Sequence, residues 1–335
     1  MTNLQNKFAD RSVWQSVRLW LGASVLTLFT GLVGAQEAAS YPSKPIRIIV
    51  PFAAGISPDV VARILADKLS QSWHQPVLVD NRPGASGIIG AEAAAKSPGD
   101  GYTLLMSVTA IMSMNPHLYP KLSYEPMKDF KPVTHVLNVP FVVIGAPASP
   151  NGSMAQLLES ARKQPGKIDY ASLGAGSHSH VAMEWLLNLA GAKMSHVPYK
   201  ASPSSDIMGG LVSAYLDPIV TAIPLVKADK VKGLAITSLK RSPVLPDVPA
   251  LSETIPGFES YAYQGIFVPA TTPDAIVTKL NKELVRIIRM PDVQKKLQDF
   301  GYTPIGSSVA EFGELVRKDH AQYGKVIREN NIRLD

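Results

Sequence analysis

The stretch Pro45–Asp59, PIRIIVPFAAGISPD, constrains the fold more than any other part of the chain. A β-rich run from Ile46 to Val50 breaks at Pro51-Phe52 into a small-residue loop, and a helical pattern opens at Ser57-Pro58-Asp59. The N–H groups in the first turn of a helix have no internal acceptors. With the positive end of the helix dipole they make a place for an anion. Similar constructions recur at Asp80–Ile89 and Ser172–Ala182. Three such turns predict an α/β fold whose loops hold a small anionic molecule.

The rest of the chain alternates strand and helix patterns, which predicts mostly parallel sheets. Strands are expected at Ile46–Val50, Val77–Val79, Thr103–Ser107, Phe130–Val136, Pro140–Ile144, Ile168–Ser172, Val212–Ile219, Lys232–Ile236 and Tyr263–Val268. Helices are expected at Asp59–Leu69, Gly90–Lys96, Ser153–Lys163 and Val181–Leu189. The C-terminal third is helical. Thr272-Pro273-Asp274 reads as a cap with proline at the first helical position, and Ser308 with Glu311 reads as a capping box. Proline-rich connections near Pro140 and Pro147, and again at Pro243–Pro256, bracket a middle segment. They predict one lobe of residues 41–140 plus 256–335 and a second lobe of residues 141–255.

The first 35 residues read as an export signal. Lys7, Arg11 and Arg18 precede an uncharged apolar run, Leu19–Val33, and Val33-Gly34-Ala35 supplies small residues for cleavage after Ala35. The run is short for a membrane span of ~20 residues; an uncleaved anchor is the other reading. An exported chain belongs in the periplasm. The leader holds three basic residues and one acidic one, so 30 Lys and Arg face 26 Asp and Glu beyond it. That mild excess suits anion capture but is far from a nucleic-acid footprint. Cysteine is absent, which excludes disulfides and thiolate metal sites.

The first loop offers the backbone N–H groups of Gly55, Ile56 and Ser57 and the Ser57 hydroxyl, while Asp59 is better suited to fixing the loop than to touching an anion. In the second loop, Gly84 and Gly87 allow close approach to the backbone. Ala85 and Ser86 could donate to a ligand or merely shape the turn, and Arg82 reads as a clamp on an acidic neighbour. The third loop, Gly174–His180, has a serine cap at Ser177 with His178 and His180 beside it. It lacks the final glycine of a dinucleotide fingerprint. Two histidines two residues apart diverge on a helix, so no metal is expected, and no residue set implies a cofactor. There is no G-x-S-x-G elbow and no G-K-[ST] phosphate loop. A cell-envelope serine hydrolase centred on Ser177 is the alternative from another class, and a ligand-binding module for a membrane sensor is a third.

Several segments together resemble the extracytoplasmic solute receptors of tripartite tricarboxylate transporters, the Bug family. They are YPSKPIRIIVPF (Tyr41–Phe52), VDNRPGASGIIGAE (Val79–Glu92), DGYTLL (Asp100–Leu105), YASLGAGSHSHVAME (Tyr170–Glu184), HVPYK (His196–Lys200) and AITSLKRSPVLPDVPALSE (Ala235–Glu253). The resemblance implies a two-lobed periplasmic-binding fold of type II, a Venus flytrap that closes by a hinge around one carboxylated solute. It implies no catalysis, a monomer, and delivery of the solute to membrane permease subunits. Carried over by position, it points to Phe52, Gly55, Ile56, Ser57, Ala85, Ser86 and Thr109 from one lobe, and Ser177, His178 and Asp217 from the other. The chain departs from the family where Ile56, Ser57 and Pro58 replace glycines and a threonine, and where Tyr263 replaces a tryptophan. Ile56, Phe52 and Tyr263 favour a flatter or more apolar acid over citrate.

Overall fold

Ile46, Ile48 and Val50 of strand β1 (Ile46–Val50) point to one side and Ile49 to the other, so the strand is buried on both faces. In the computed structural model, which describes residues 40–334, β1 leads into helix α1 (Ser57–Trp73). Val61, Leu65 and Leu69 of α1 cover the first face of β1, each contributing ~1.5–3 kcal/mol by leaving water. Then follow β2 (Val77–Asn81), α2 (Ile88–Ala95), β3 (Thr103–Val108), α3 (Asn115–Leu118), α4 (Pro126–Asp129) and β4 (Phe130–Gly145). The middle segment contains α5 (Met154–Lys163), β5 (Asp169–Ser172), α6 (His178–Ala190), β6 (Ser195–Pro198), α7 (Ser204–Met208), β7 (Tyr215–Pro218), α8 (Ile219–Lys227) and β8 (Lys232–Ile236). The chain ends with β9 (Tyr261–Pro269), α9 (Asp274–Ile288), α10 (Pro291–Asp299), β10 (Thr303–Pro304) and α11 (Val309–Glu329). The expected signal peptide and its cut after Ala35 fall outside the described residues.

The strand order is β2-β1-β3-β9-β4-β7-β5-β6, with β8 and β10 also on β4. As expected for an α/β chain, β2-β1-β3 and β6-β5-β7 are parallel. Around β4 and β9 the ladders are antiparallel, so the sheet is mixed. The first part of β4 pairs with β9, and from Phe141 onward it pairs with β7 and β8. The two strands expected on either side of Val136–Pro140 are therefore one. Proline is tolerated at 140 because the strand changes partners there: the next N–H, that of Phe141, donates to the Thr237 hydroxyl at 2.9 Å. A second connection runs alongside, where the Ser260 N–H donates to the Thr237 carbonyl.

Other expectations shift. The strand expected to run to Ile219 stops at Pro218, and α8 begins at Ile219. Helix α9 is preceded by Pro273, and Thr272 makes no cap; its buried hydroxyl has no partner. The capping box on α11 forms in both directions. The Ser308 hydroxyl accepts from the Glu311 N–H, and the Glu311 carboxylate accepts from the Ser308 N–H at 2.8 Å. Ser308→Ala is expected to cost about 1 kcal/mol, read as a lower urea midpoint with an unchanged slope.

Candidate solute-binding site

The three turns follow the carboxyl ends of β1, β2 and β5, the ends at which open α/β sheets take ligands; β5 runs opposite to β1 and β2, so these ends approach the Pro140 junction of β4 from opposite sides. The first is locked by Asp59. Its carboxylate, 1% exposed, accepts from the Gly55 N–H at 2.8 Å, from Asn81 Nδ2 at 2.8 Å and from Arg63 at 2.9 and 3.0 Å. Burial alone would raise this carboxyl group, but those donors outweigh it and lower its pKa. The Gly55 N–H is thus spent within the loop. Ile56 caps α1 without a side-chain bond and is 45% exposed, and Phe52 is half-buried. Ser57 opens the helix, and its hydroxyl accepts from Gln264 Nε2 of β9 at 2.6 Å.

The second turn is strained. Gly84, Ala85, Ser86 and Gly87 all have positive φ, which is costly for alanine and serine. Ala85 and Ser86 are exposed. The Ser86 hydroxyl meets that of Tyr119 at 2.8 Å, and the Ser86 carbonyl accepts from Asn115 at 3.2 Å. Arg82 donates to Asp80 at 2.8 Å, a clamp as expected. This turn is joined to the first: Asn81 also donates to the Phe52 carbonyl at 3.1 Å, and Gly90 lies so close to Pro51 that a Cβ there would be 2.7 Å from its Cα.

The third turn meets the second through the segment 115–119. A Cβ on Gly176 would fall 3.0 Å from Leu118, which stands in α3 between Asn115 and Tyr119. Ser177 caps α6: its hydroxyl accepts from the His180 N–H and donates to the Gly174 carbonyl at 2.7 Å. That hydroxyl has no imidazole partner among the described residues, and His180 Nδ1 accepts from the Gly176 N–H instead. His178 is stacked on Phe141 of β4 at 4.5 Å and edge-on to Tyr323 of α11 at 5.7 Å. Nε2 of its ring meets the Ser260 hydroxyl at 3.2 Å while Nδ1 has no partner, and burial lowers its pKa to about 3, so it is neutral.

Thr109 and Tyr263 are held inside the fold. The Thr109 hydroxyl accepts from the Tyr263 N–H at 2.8 Å, and the fully buried Tyr263 ring packs edge-on against Phe312. Asp217, at the end of β7, is 1% exposed. Its Oδ1 accepts from the Thr221 hydroxyl at 2.5 Å, its Oδ2 has no partner, and burial raises its pKa to about 6. Loops one and two are therefore bonded to each other, and the third meets them through α3. Thr109, Tyr263 and Asp217 present no exposed surface in this conformation. Sequence reasoning gave no role to Gln264 or Asn115. For Gln264 the available signal was a lone amide in the apolar run Tyr263–Val268.

Residues 61–332 match the family described as Tripartite tricarboxylate transporter family receptor, TctC. The chain belongs to that family. The family consists of periplasmic solute-binding receptors, a non-enzymatic class. Neither the hydrolase reading nor the sensor reading finds support. Protein BugT of Bordetella pertussis is 32% identical over 321 residues, 95% of this chain and 98% of its own length. A structure of an R. palustris protein solved with adipate is 32% identical, with a TM-score of 0.76 over 88% of this chain and all of that one. MatC from Rhodopseudomonas palustris, solved with bound malate, is 30% identical, with a TM-score of 0.72 over 86% of this chain and all of that one. The two-lobed periplasmic-binding fold expected from the sequence is thus the fold of the receptor.

Proposed function

We propose that the receptor captures a small organic carboxylate between two lobes, residues 41–140 with 256–335 and residues 141–255, and hands it to the permease subunits of a tripartite transporter. It does so as a monomer, after export and cleavage near Ala35. The observation that supports this reading is the linkage of three strand-to-helix turns whose strands run toward the Pro140 junction of β4 from its two sides. Main-chain amides at Ile56 and Ser57, the strained Ala85-Ser86 turn and the Ser177 end of α6 supply donors without a dedicated arginine. Away from water, each charge-assisted hydrogen bond strengthens. The adipate and malate held by its structural relatives support the same ligand class.

Closure would bend β4 near Pro140 and the connection through Thr237 and Ser260, where His178 already bridges α6 and α11. A solute touching both lobes shifts the open–closed balance toward closed. With Tyr263 turned inward, preference for an apolar acid rests on Ile56 and Phe52 alone.

A thermal-shift panel of succinate, malate, citrate, benzoate and nicotinate tests the reading. An acid at 100 times its Kd should add ~2.7 kcal/mol, and its neutral amide should add nothing. A receptor stabilised by the amides as much as by the acids, or by none of the panel, would sink it.

A further inference from the structure

We propose that Gln264 reads a hydrogen-bond donor on the solute, so that the preferred ligand is a 2-hydroxy or 2-amino acid in place of a plain carboxylate. The inference rests on the carboxylate reading above and narrows it. Gln264 is 2% exposed and is held by its amide nitrogen on the Ser57 hydroxyl at 2.6 Å, at the first residue of the 17-residue helix α1. Its Oε1 is buried with no partner. A buried amide oxygen left unpaired is costly, and such atoms are rare in folded chains. The Ser57 hydroxyl cannot relieve it. That hydroxyl already takes the amide nitrogen and is also the partner of Tyr302.

The facing half repeats the pattern. Asp217 Oδ2 is buried and unpartnered on β7, and Ile219, two residues on, sits against Gly301 beside Tyr302. Tyr302 is thus the partner of Ser57, and its chain neighbour Gly301 packs on Ile219 at the start of α8, with an orphan acceptor near each end. At neutral pH a plain dicarboxylate offers only acceptors, which cannot satisfy an amide oxygen. A hydroxyl or ammonium group beside the carboxylate supplies the missing donor while the carboxylate meets the N-terminus of α1.

The test is calorimetric titration of the full receptor with two matched pairs, malate against succinate and mandelate against phenylacetate. In the pair that fits, the hydroxy acid should bind at least about tenfold tighter, because a site built for a hydroxyl rejects the analogue lacking it. Gln264→Met, which keeps volume but removes the acceptor, should bring that ratio close to one. Its melting temperature without acid reports whether it folds, and the wild-type ratio decides the matter without it. Equal affinities within both pairs would put the amide nitrogen on the solute carboxylate and overturn this inference alone. An unchanged ratio in Gln264→Met would also overturn it. Failure of all four acids to bind would overturn it together with the carboxylate reading.

Discussion

Asp59→Ala is expected to cost about 2–4 kcal/mol of stability and roughly tenfold or more in solute affinity. The ion pair with Arg63 is a minor part of that cost, because the Arg63 side chain is 54% exposed and water screens it. The larger part is the donors left behind. The Gly55 N–H and the Asn81 amide would both lose the acceptor that fixes the loop, and the start of α1 would lose a negative charge. Asn81 also holds the Phe52 carbonyl, so its release would loosen the joint between the first and second turns. The affinity loss follows because a slack loop must be ordered again when the solute binds.

This effect has a defined pH dependence. The donors around Asp59 hold its folded pKa below the ordinary carboxylate value of about 3.9. The carboxylate therefore contributes fully above pH ~4, and its contribution fades as pH falls through the lowered folded value. Urea unfolding of wild type and variant at pH 7 and pH 3 checks both points. Equal midpoints at pH 7 would show that the loop does not depend on Asp59.

The elements that were readable from the chain are those in which local chemistry and tertiary position agree. Lys232–Ile236 is a strand with the expected ends, and Ser308 caps α11 as its spacing with Glu311 required. The misreadings lie where a distant contact overrides a local signal. Pro140 looked like a break because it cannot donate to a ladder, but β4 passes through it at the point where one partner replaces another. Ile219 closed the strand expected over Val212–Ile219, but burial of Ile219 and Ala222 makes it the first residue of α8.

The strand-to-helix loops were legible in the chain, but the directions of the side chains around them were not. The strand-to-helix turns announce themselves through glycine, proline and capping residues, and they stand where parallel strands end. Which neighbour on a strand faces which layer is a matter of a single residue, because side chains alternate. Tyr263 was the expected wall residue, and its ring faces Phe312. The next residue, Gln264, has the opposite orientation and reaches Ser57. Nothing local separates these two choices; α1 and α11, remote in sequence, decide which face of β9 each covers. Asp59 was expected to fix the first loop, and it does so by taking the Gly55 N–H that was expected to donate to the ligand.

Asp217→Asn is expected to stabilise the receptor by about 2–3 kcal/mol at pH 8 and by almost nothing at pH 4. Burial raises the Asp217 carboxyl to about 6, and the Thr221 hydroxyl recovers only part of the solvation lost. Its folded value thus lies above its unfolded value. The folded state holds the proton through a window in which the unfolded chain has released it, so stability falls as pH rises from about 4 through about 6 and then levels off. Asparagine carries no charge at any pH and keeps an oxygen for Thr221, so the variant escapes that fall. Melting curves of both proteins at pH 4, 6 and 8 should diverge progressively, by several degrees at the alkaline end. A gap that stayed constant or closed with rising pH would mean that Asp217 is solvated and ordinary. A buried, half-partnered acid at the end of β7 that weakens the fold at neutral pH is the kind of cost a binding site retains. The same substitution should therefore lower affinity for the solute while raising the melting temperature, and titration of the two proteins at pH 8 separates that outcome from a purely structural role, in which stability would change and affinity would not.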